Sequence, residues 1–313
     1  LIEGAAMNHF ISIADCSQAQ VESILQTAFR LREERQSGRP NTPVLAGKTL
    51  AMIFEKPSLR TRVSFQQAMI ELGGHAINLV QGEIGLGHRE SAADVVRVLN
   101  GMVQGISARV NDHRTLLELM QYSEVPVVNA LSDQSHPCQA LADAMTMIDA
   151  FGEDLSGRTV AYVGDGNNVA VSLAAMAVQL NYRMIVASPA GFELPAAEVA
   201  ALHKRMPRLK LEATNDPQAA VADADVIYTD TWVSMGQEEE STNRLQAFEG
   251  FQVNEALLAN APTDAIVLHC LPAHRGQEIT DGVMDGPQSR VFPQAHNRLH
   301  AQKGLLALLM GEA

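Results

Sequence analysis

Ser58-Leu59-Arg60-Thr61-Arg62 packs two guanidinium groups and two hydroxyls into five residues. The stretch follows the apolar run Thr49–Phe54 and precedes the amphipathic segment Val63–Leu72, so it lies where a strand gives way to a helix. Pro57 biases the residues before it towards extended geometry. Ser58 is a favourable N-cap. The N–H groups that follow have no intrahelical acceptors and carry the positive end of the helix dipole, which makes a cradle for an anion such as phosphate. A capped helix with solvated arginines would look the same in isolation. The reading therefore depends on what else the fold brings to this point.

Other chemistry-bearing residues recur at the ends of apolar runs. Arg109 closes the run from Ile106, and His136-Pro137-Cys138-Gln139 follows the run Val125–Ala130. Further along, Gly164-Asp165-Gly166-Asn167-Asn168 follows Thr159–Val163, Asp230 follows Val226–Tyr228, and His269-Cys270-Leu271-Pro272 follows Ile266–Leu268. A lone strand-end Arg, His or Asn pair is ordinary turn or surface chemistry. Six such placements after strands point to ligand binding, because open parallel sheets bind outside the carboxyl ends of their strands. Arg60, Thr61, Arg62, Arg109, His136 and Gln139 make a cationic, donor-rich wall suited to a phosphorylated ligand. Asn168, Asp230, Ser234 and Cys270 make a wall with one carboxylate and neutral polar groups, suited to an amino acid. The chemistry implied is group transfer from a small phosphorylated donor to an amine.

The elements that must position these residues are legible as an alternation of short β-branched runs and longer helical stretches, the α/β signature. Strands are expected at Thr49–Phe54, Ala76–Val80, Ile106–Val110, Val125–Ala130, Thr159–Val163, Met184–Ala187, Val226–Tyr228 and Ile266–Leu268. Helices are expected at Ser17–Glu34, Arg62–Leu72, Ala92–Met102, Thr115–Tyr122, Gln139–Phe151, Ala170–Leu180 and Ala196–Arg205, with a last helix from about Asn297 to Leu309. The polar, Gly-containing stretch 151–157 separates two strand sets. The expected fold is α/β, with two open parallel-sheet domains, helices on both faces and the active site in the cleft between them. Residues 7–150, completed by the C-terminal helix 295–313, form the first domain and residues 151–294 the second. Residues 1–6 read as an expression remnant ahead of Met7.

Composition narrows the class. The chain of 313 residues is 46% hydrophobic and 19% charged, with a formal net charge of −13. An acidic protein is a poor general binder of nucleic acid, so any anion site must be a local basic pocket. Cys16, Cys138 and Cys270 are too few and too widely spaced for a disulfide framework or a zinc knuckle, which fits a reducing compartment and a cytoplasmic location. No apolar run is long enough to span a bilayer, so no membrane partner is expected. Gly164-Asp165-Gly166 begins like a dinucleotide fingerprint, but Val169 occupies the third glycine position. The next strand also ends without the acidic residue that would hold a ribose, so a nicotinamide enzyme is disfavoured.

Taken together, these motifs resemble the aspartate and ornithine carbamoyltransferase family. Phe54-Glu55-Lys56-Pro57-Ser58-Leu59-Arg60-Thr61-Arg62 is similar to the carbamoyl-phosphate motif of that family, and His136-Pro137-Cys138-Gln139 to its second motif. Asp230-Thr231-Trp232-Val233-Ser234-Met235-Gly236 and His269-Cys270-Leu271-Pro272-Ala273-His274-Arg275-Gly276 resemble the ornithine branch, and 297–303 the terminal helix. The resemblance implies that Ser58, Leu59, Arg60 and Thr61 hold phosphate largely through backbone N–H groups. It implies that Arg60, Thr61, Arg109, His136 and Gln139 surround carbamoyl phosphate, with Cys270, Leu271 and Arg298 completing that site. Asn168, Asp230, Ser234 and Met235 would bind L-ornithine, and Arg60, Arg109, His136, Gln139, Asp230 and Cys270 would carry catalysis. It implies no cofactor and no metal, and a homotrimer or higher homo-oligomer in which the 82–91 loop reaches a neighbour's site. Leu59 replaces a threonine common in the family, which a backbone role tolerates. Gly85 stands where a glutamine or histidine commonly contacts carbamoyl phosphate, so that contact is either absent here or supplied by His88. A relative acting on putrescine or an N-modified ornithine, and a non-catalytic amino-acid-binding homologue, are the alternatives.

Overall fold

A computed structural model describes residues 7–87, 89–233 and 241–311. The chain divides into two compact units, Leu1–Met145 with His296–Ala313, and Thr146–Ala295. Both are α/β with wholly parallel sheets.

The first unit holds strands β1 (Thr49–Phe54), β2 (His75–Val80), β3 (Gly105–Arg109) and β4 (Val127–Leu131), in the order β2-β1-β3-β4. Parallel neighbours need crossovers, supplied here by the helices Leu59–Glu71, Ala92–Asn100 and His113–Tyr122. β3 is buried along its whole length, as expected for a strand covered on both faces, whereas the edge strand β2 is partly exposed. From β1 the chain steps to β2 on one side and β3 on the other. The switch point therefore lies between β1 and β3, beside the segments that carry Ser58–Thr61 and Arg109. The core packs Ala51, Ile53, Ile106 and Val127 of the sheet against Val95, Val96, Leu116 and Leu119 of the helices.

The second unit holds β5 (Thr159–Val163), β6 (Arg183–Ala187), β7 (Leu211–Thr214), β8 (Val226–Thr229) and β9 (Ile266–His269), in the order β7-β6-β5-β8-β9. Its switch point falls between β5 and β8, which places the turns after Val163 and Thr229 side by side. Trp232 stacks on Phe248 with ring centroids 5.3 Å apart, in a core shared with Val163, Ile185 and Val267.

The expected strands form, with ends shifted by one or two residues, and β7 is an addition. Its Leu-Glu-Ala-Thr sequence is half exposed at a sheet edge and lacks the apolar run that marks the others. The last helix is longer than expected, running Val291–Met310. Pro293 sits in its first turn, where the missing N–H has no intrahelical role. Pro137 likewise opens the helix Pro137–Phe151, two residues ahead of the expected start.

The terminal helix is tied to the first unit by a buried polar knot. Lys303 is fully buried, and its Nζ donates to Asn41 Oδ1 at 2.6 Å and to Glu71 Oε2 at 2.7 Å. Gly304 lets the backbones approach, since a Cβ there would lie 2.5 Å from the Ile24 carbonyl oxygen. Burial lowers the Lys303 pKa, and the Glu71 carboxylate opposes that fall. His300, 6% exposed one turn earlier, is pushed down to about 4 by burial and then by the charges of Lys303, Arg32 and Arg35.

The neutral His300 of the folded chain takes up a proton on unfolding below its ordinary value. Its contribution to stability is present above pH 6.5 and is lost as pH falls from 6.5 to about 4. Across that window the loss is at most about 1.4 kcal/mol per pH unit. Urea unfolding of a His300→Gln variant between pH 7 and 4 is expected to show a shallower decline than the parent, and an equal slope would exclude His300 as a source of acid sensitivity.

Candidate active site

In the first unit the turns after β1 and β3 are stitched together. The Glu55 N–H donates to the Arg109 carbonyl at 2.9 Å, and the Glu55 carboxylate accepts from the Asn111 N–H at 2.6 Å. Ser58 caps the helix Leu59–Glu71, with extended φ −158° and its Oγ accepting from the Thr61 N–H at a long 3.4 Å. Leu59 is 72% exposed, so its side chain adds nothing to an anion site, and a contribution there would come from its backbone. Arg60 is half-buried, Thr61 buried and Arg62 exposed, which sets Arg62 apart from the wall expected to contain it. Arg109 lies at a register shift between β3 and β4, a bulge of the kind that re-aims a side chain.

His136 follows β4 and is 5% exposed. Its carbonyl accepts the Gln139 N–H at 3.0 Å, starting the helix Pro137–Phe151. The preceding turn is held by Asn129, whose Nδ2 donates to Ser135 Oγ at 2.8 Å and to the Ile11 carbonyl at 2.9 Å. Burial first, then the charges of Arg298, Arg109 and Arg60, hold the His136 pKa well below its ordinary value. His136 is therefore neutral, and three guanidinium groups from three separate segments bear on it. Arg298 arrives from the terminal helix, where its Nη1 donates to Gln139 Oε1 at 2.6 Å and its Nη2 to Thr61 Oγ1 at 3.3 Å. Five of the six residues of the expected phosphate wall, Arg60, Thr61, Arg109, His136 and Gln139, thus gather in one basic cluster within an acidic chain, and Arg298 joins them.

The second unit assembles a different group at its own switch point. Asp230 is 7% exposed. Its carboxylate accepts from Asn167 Nδ2 at 2.9 Å, from the Thr231 N–H at 2.8 Å and from the Cys270 thiol at 2.9 Å. No lysine or arginine bridges to it among the described residues, so neutral donors surround a buried carboxylate. Asn167 caps the helix Asn168–Leu180, its Oδ1 accepting from the N–H groups of Val169 and Ala170 and from the Tyr162 hydroxyl. Sequence reasoning singled out Asn168, yet Asn167 holds Asp230, while Asn168 is the first helical residue with a half-buried side chain. The pair itself was the signal: one asparagine is consumed as a cap and leaves the other at the helix start.

Leu271 adopts φ +58°, and the Leu271–Pro272 peptide bond is cis. The Leu271 N–H donates to His269 Nδ1 at 2.9 Å. A backbone N–H can only donate, so the ring hydrogen of His269 lies on Nε2 and points at Glu278 Oε1, 3.1 Å away. Both side chains of that pair are fully buried, and the pair braces the turn that presents Cys270 and Leu271. Asp230, His269 and Cys270 offer ligand atoms within 4.8 Å of one another. Both His269 nitrogens are already engaged, however, so the set lacks a third open lone pair and does not fit a metal. Cys270 is half-buried, whereas Cys16 and Cys138 are buried and their thiols are pushed up to about 12 by burial. Cys138 therefore packs, with its thiol on the Asn129 carbonyl, and does not react. Ser234, Met235 and His88 lie outside the described residues. Gly85, at φ +60°, ends the helix Gln81–Ile84 in the left-handed conformation that a side chain would strain.

Two comparisons by sequence and one by structure bear on this arrangement. Residues 8–149 match the family description "Aspartate/ornithine carbamoyltransferase, carbamoyl-P binding domain", and residues 156–309 match its "Asp/Orn binding domain". The ornithine carbamoyltransferase of Anoxybacillus flavithermus is 49% identical, with 96% of each chain covered. The anabolic ornithine carbamoyltransferase of Pyrococcus furiosus is 47% identical over 99% of each chain. The solved ornithine carbamoyltransferase structure from Pyrococcus furiosus superposes with a TM-score of 0.95 at 47% identity, covering 100% of both chains. An acetylornithine transcarbamylase complexed with acetylcitrulline superposes with a TM-score of 0.87 at 29% identity, covering 98% of this chain and 100% of that one.

Proposed function

The chain belongs to the aspartate/ornithine carbamoyltransferase family, and we propose that it transfers the carbamoyl group of carbamoyl phosphate to the δ-amino group of L-ornithine, giving L-citrulline and phosphate. The observation that carries this reading is the convergence of Arg60, Arg109 and Arg298 on a neutral His136. A buried positive field with Gln139 and Thr61 at its edge suits a phosphorylated carbonyl compound. Asp230, buried among neutral donors, suits the cationic amine of an amino acid.

The roles follow from where charge develops. Phosphate rests on the N–H groups of Ser58–Thr61, with Arg298 and Arg109 in support. Arg60, Thr61 and His136 donate to the carbonyl oxygen, which gains negative charge as the amine attacks, and a neutral His136 can donate there without adding a buried charge. Asn168, Asp230, Ser234 and Met235 bind ornithine. Asp230 and Cys270 orient the δ-amine and assist its deprotonation, since an ammonium has no lone pair with which to attack. Leu271 presents its backbone beside Cys270. Departing phosphate accepts the remaining proton. Positioning two reactants supplies much of the acceleration.

An N-modified ornithine is the main rival substrate, and the 29% identity to the acetylornithine enzyme against 47–49% to the ornithine enzymes favours ornithine. The anabolic relative supports the citrulline-forming direction of arginine biosynthesis. Three free cysteines fit a cytoplasmic protein. We further propose a homo-oligomer, with the family's trimer as its unit. Leu59, Val63 and Ile70 lie on one helical stripe and are 72%, 53% and 62% exposed, and Ile77 of the edge strand β2 is 49% exposed. A second copy would cover these apolar side chains. Sedimentation of the active protein should give a multiple of the chain mass, and a stable active monomer would refute this assembly.

A panel of ornithine, putrescine and N-acetylornithine with carbamoyl phosphate tests the activity. Ornithine should be preferred in kcat/KM by about tenfold or more, since the rivals leave polar groups of the site unmatched. No citrulline from ornithine would overturn the reading. Arg60→Ala should lower kcat at saturation by about 100-fold or more, the usual loss when a donor to a developing oxyanion is removed, and unchanged turnover would deny Arg60 that role.

A further inference from the structure

Asp143 has no part in the chemistry described so far, yet its carboxylate is fully buried, one helical turn beyond Gln139. Gln139 Nε2 donates to Asp143 Oδ1 at 2.8 Å, while Gln139 Oε1 accepts from Arg298 Nη1 at 2.6 Å. The two ends of a glutamine amide look alike in shape and differ only in chemistry. A carboxylate can only accept and a guanidinium can only donate. Turning the amide over would set oxygen against carboxylate and NH2 against guanidinium, two repulsive contacts in a buried site. The network therefore admits one orientation, with the NH2 group towards the core and the oxygen towards the arginines.

That orientation has a consequence for selectivity. Arg60, Arg109, Arg298 and the Thr61 hydroxyl all offer donors, and they bear on the same pocket. An amide oxygen has two acceptor sites, of which Arg298 uses one. Gln139 Oε1 thus supplies an acceptor in a pocket otherwise rich in donors. A carbamoyl group and an acetyl group have nearly the same shape and differ in NH2 against CH3, and only the former can donate to that oxygen.

We propose that Asp143 is a positioning residue that locks the Gln139 amide with its oxygen presented to the substrate, and so makes the site select a carbamoyl over an acetyl phosphate. The inference rests on the reading of this pocket as a carbamoyl-phosphate site. Asp143 acts through Gln139 and touches no reacting atom. Asparagine at position 143 could meet either end of the amide, so the lock would be weakened without a change of side-chain size.

The test compares the dissociation constants of carbamoyl phosphate and acetyl phosphate, each titrated calorimetrically against the full-length enzyme. The parent should favour carbamoyl phosphate by about tenfold or more, the scale of discrimination when a buried acceptor is left unmatched. Asp143→Asn should reduce that ratio at least threefold, with acetyl phosphate affinity held within twofold. A structural defect would instead weaken both ligands in parallel, and parallel weakening would overturn the proposal. Gln139→Met should abolish the preference, and Asp143→Asn added to it should move the ratio no further. A parent-like ratio in Gln139→Met would overturn the proposal whether or not the position-143 variant folds. Parent enzyme that binds carbamoyl phosphate and makes citrulline, with variants that keep its ratio, would sink this inference alone. Parent enzyme that binds no carbamoyl phosphate would remove the functional reading and this inference with it.

Discussion

Three guanidinium groups, two of them buried, bear on one buried imidazole, and much of the first unit is arranged to bring them there. Arg109 and Arg298 are 8% and 2% exposed, and with Arg60 they add to the effect of burial, which comes first in lowering the His136 pKa. Charges held out of water interact strongly because little solvent screens them. The field they make is already in place before a ligand enters, so a phosphorylated ligand meets donors that need no rearrangement. The first unit is organised around this concentration of charge. Arg60 comes from a helix start, Arg109 from a bulge at a strand end, and Arg298 from a helix more than 180 residues further along the chain. The helix that carries the last of these is also anchored by the Lys303–Glu71–Asn41 knot, and Glu71 and Thr61 sit at opposite ends of one helix. Arg298 meets Thr61 at one end of that helix, and Lys303 meets Glu71 at the other. The anion pocket and the packing of the terminal helix are thus one problem with one solution.

The second unit solves the complementary problem with a single carboxylate. Asp230 is surrounded by an amide, a backbone N–H and a thiol, which solvate it without neutralising it. Asn167 is central to this: its oxygen is spent on capping a helix and on Tyr162, which leaves its NH2 aimed at Asp230. The Glu278–His269 pair does the equivalent for the turn beyond β9, holding Leu271 at a positive φ that a leucine does not adopt unaided. Two carboxylates in one unit therefore have different partners: Asp230 meets an amide, a backbone N–H and a thiol, and Glu278 braces a loop.

The strand ends were legible because parallel strands buried on both faces leave long β-branched runs, and whatever follows such a run stands at the ligand-binding edge. Arg60, Arg109, His136, Asp230 and Cys270 could all be found that way, and the motif order then named the family. Partner choice was not legible. Nothing in the order of residues says that Asn167 and not Asn168 would hold Asp230, since either can cap a helix. Asp143 was missed although its spacing from Gln139 places both on one helical face, because a buried acid at that spacing reads as an ordinary helical pair. The helices Pro137–Phe151 and Val291–Met310 begin ahead of their expected starts at Gln139 and about Asn297, each with a proline in its first turn. The strand β7 was missed because an exposed edge strand carries too few apolar residues to stand out.

The central claim is that the arginine pocket of the first unit is built for carbamoyl phosphate. The most direct measurement is a crystal structure of the protein with carbamoyl phosphate alone. The expected density places the phosphoryl oxygens on the N–H groups of Leu59, Arg60 and Thr61, with the carbonyl oxygen towards Arg60 and His136 and the NH2 group on Gln139 Oε1. Carbamoyl phosphate bound away from that helix start, or seated there with its NH2 group turned to the arginines, would contradict it.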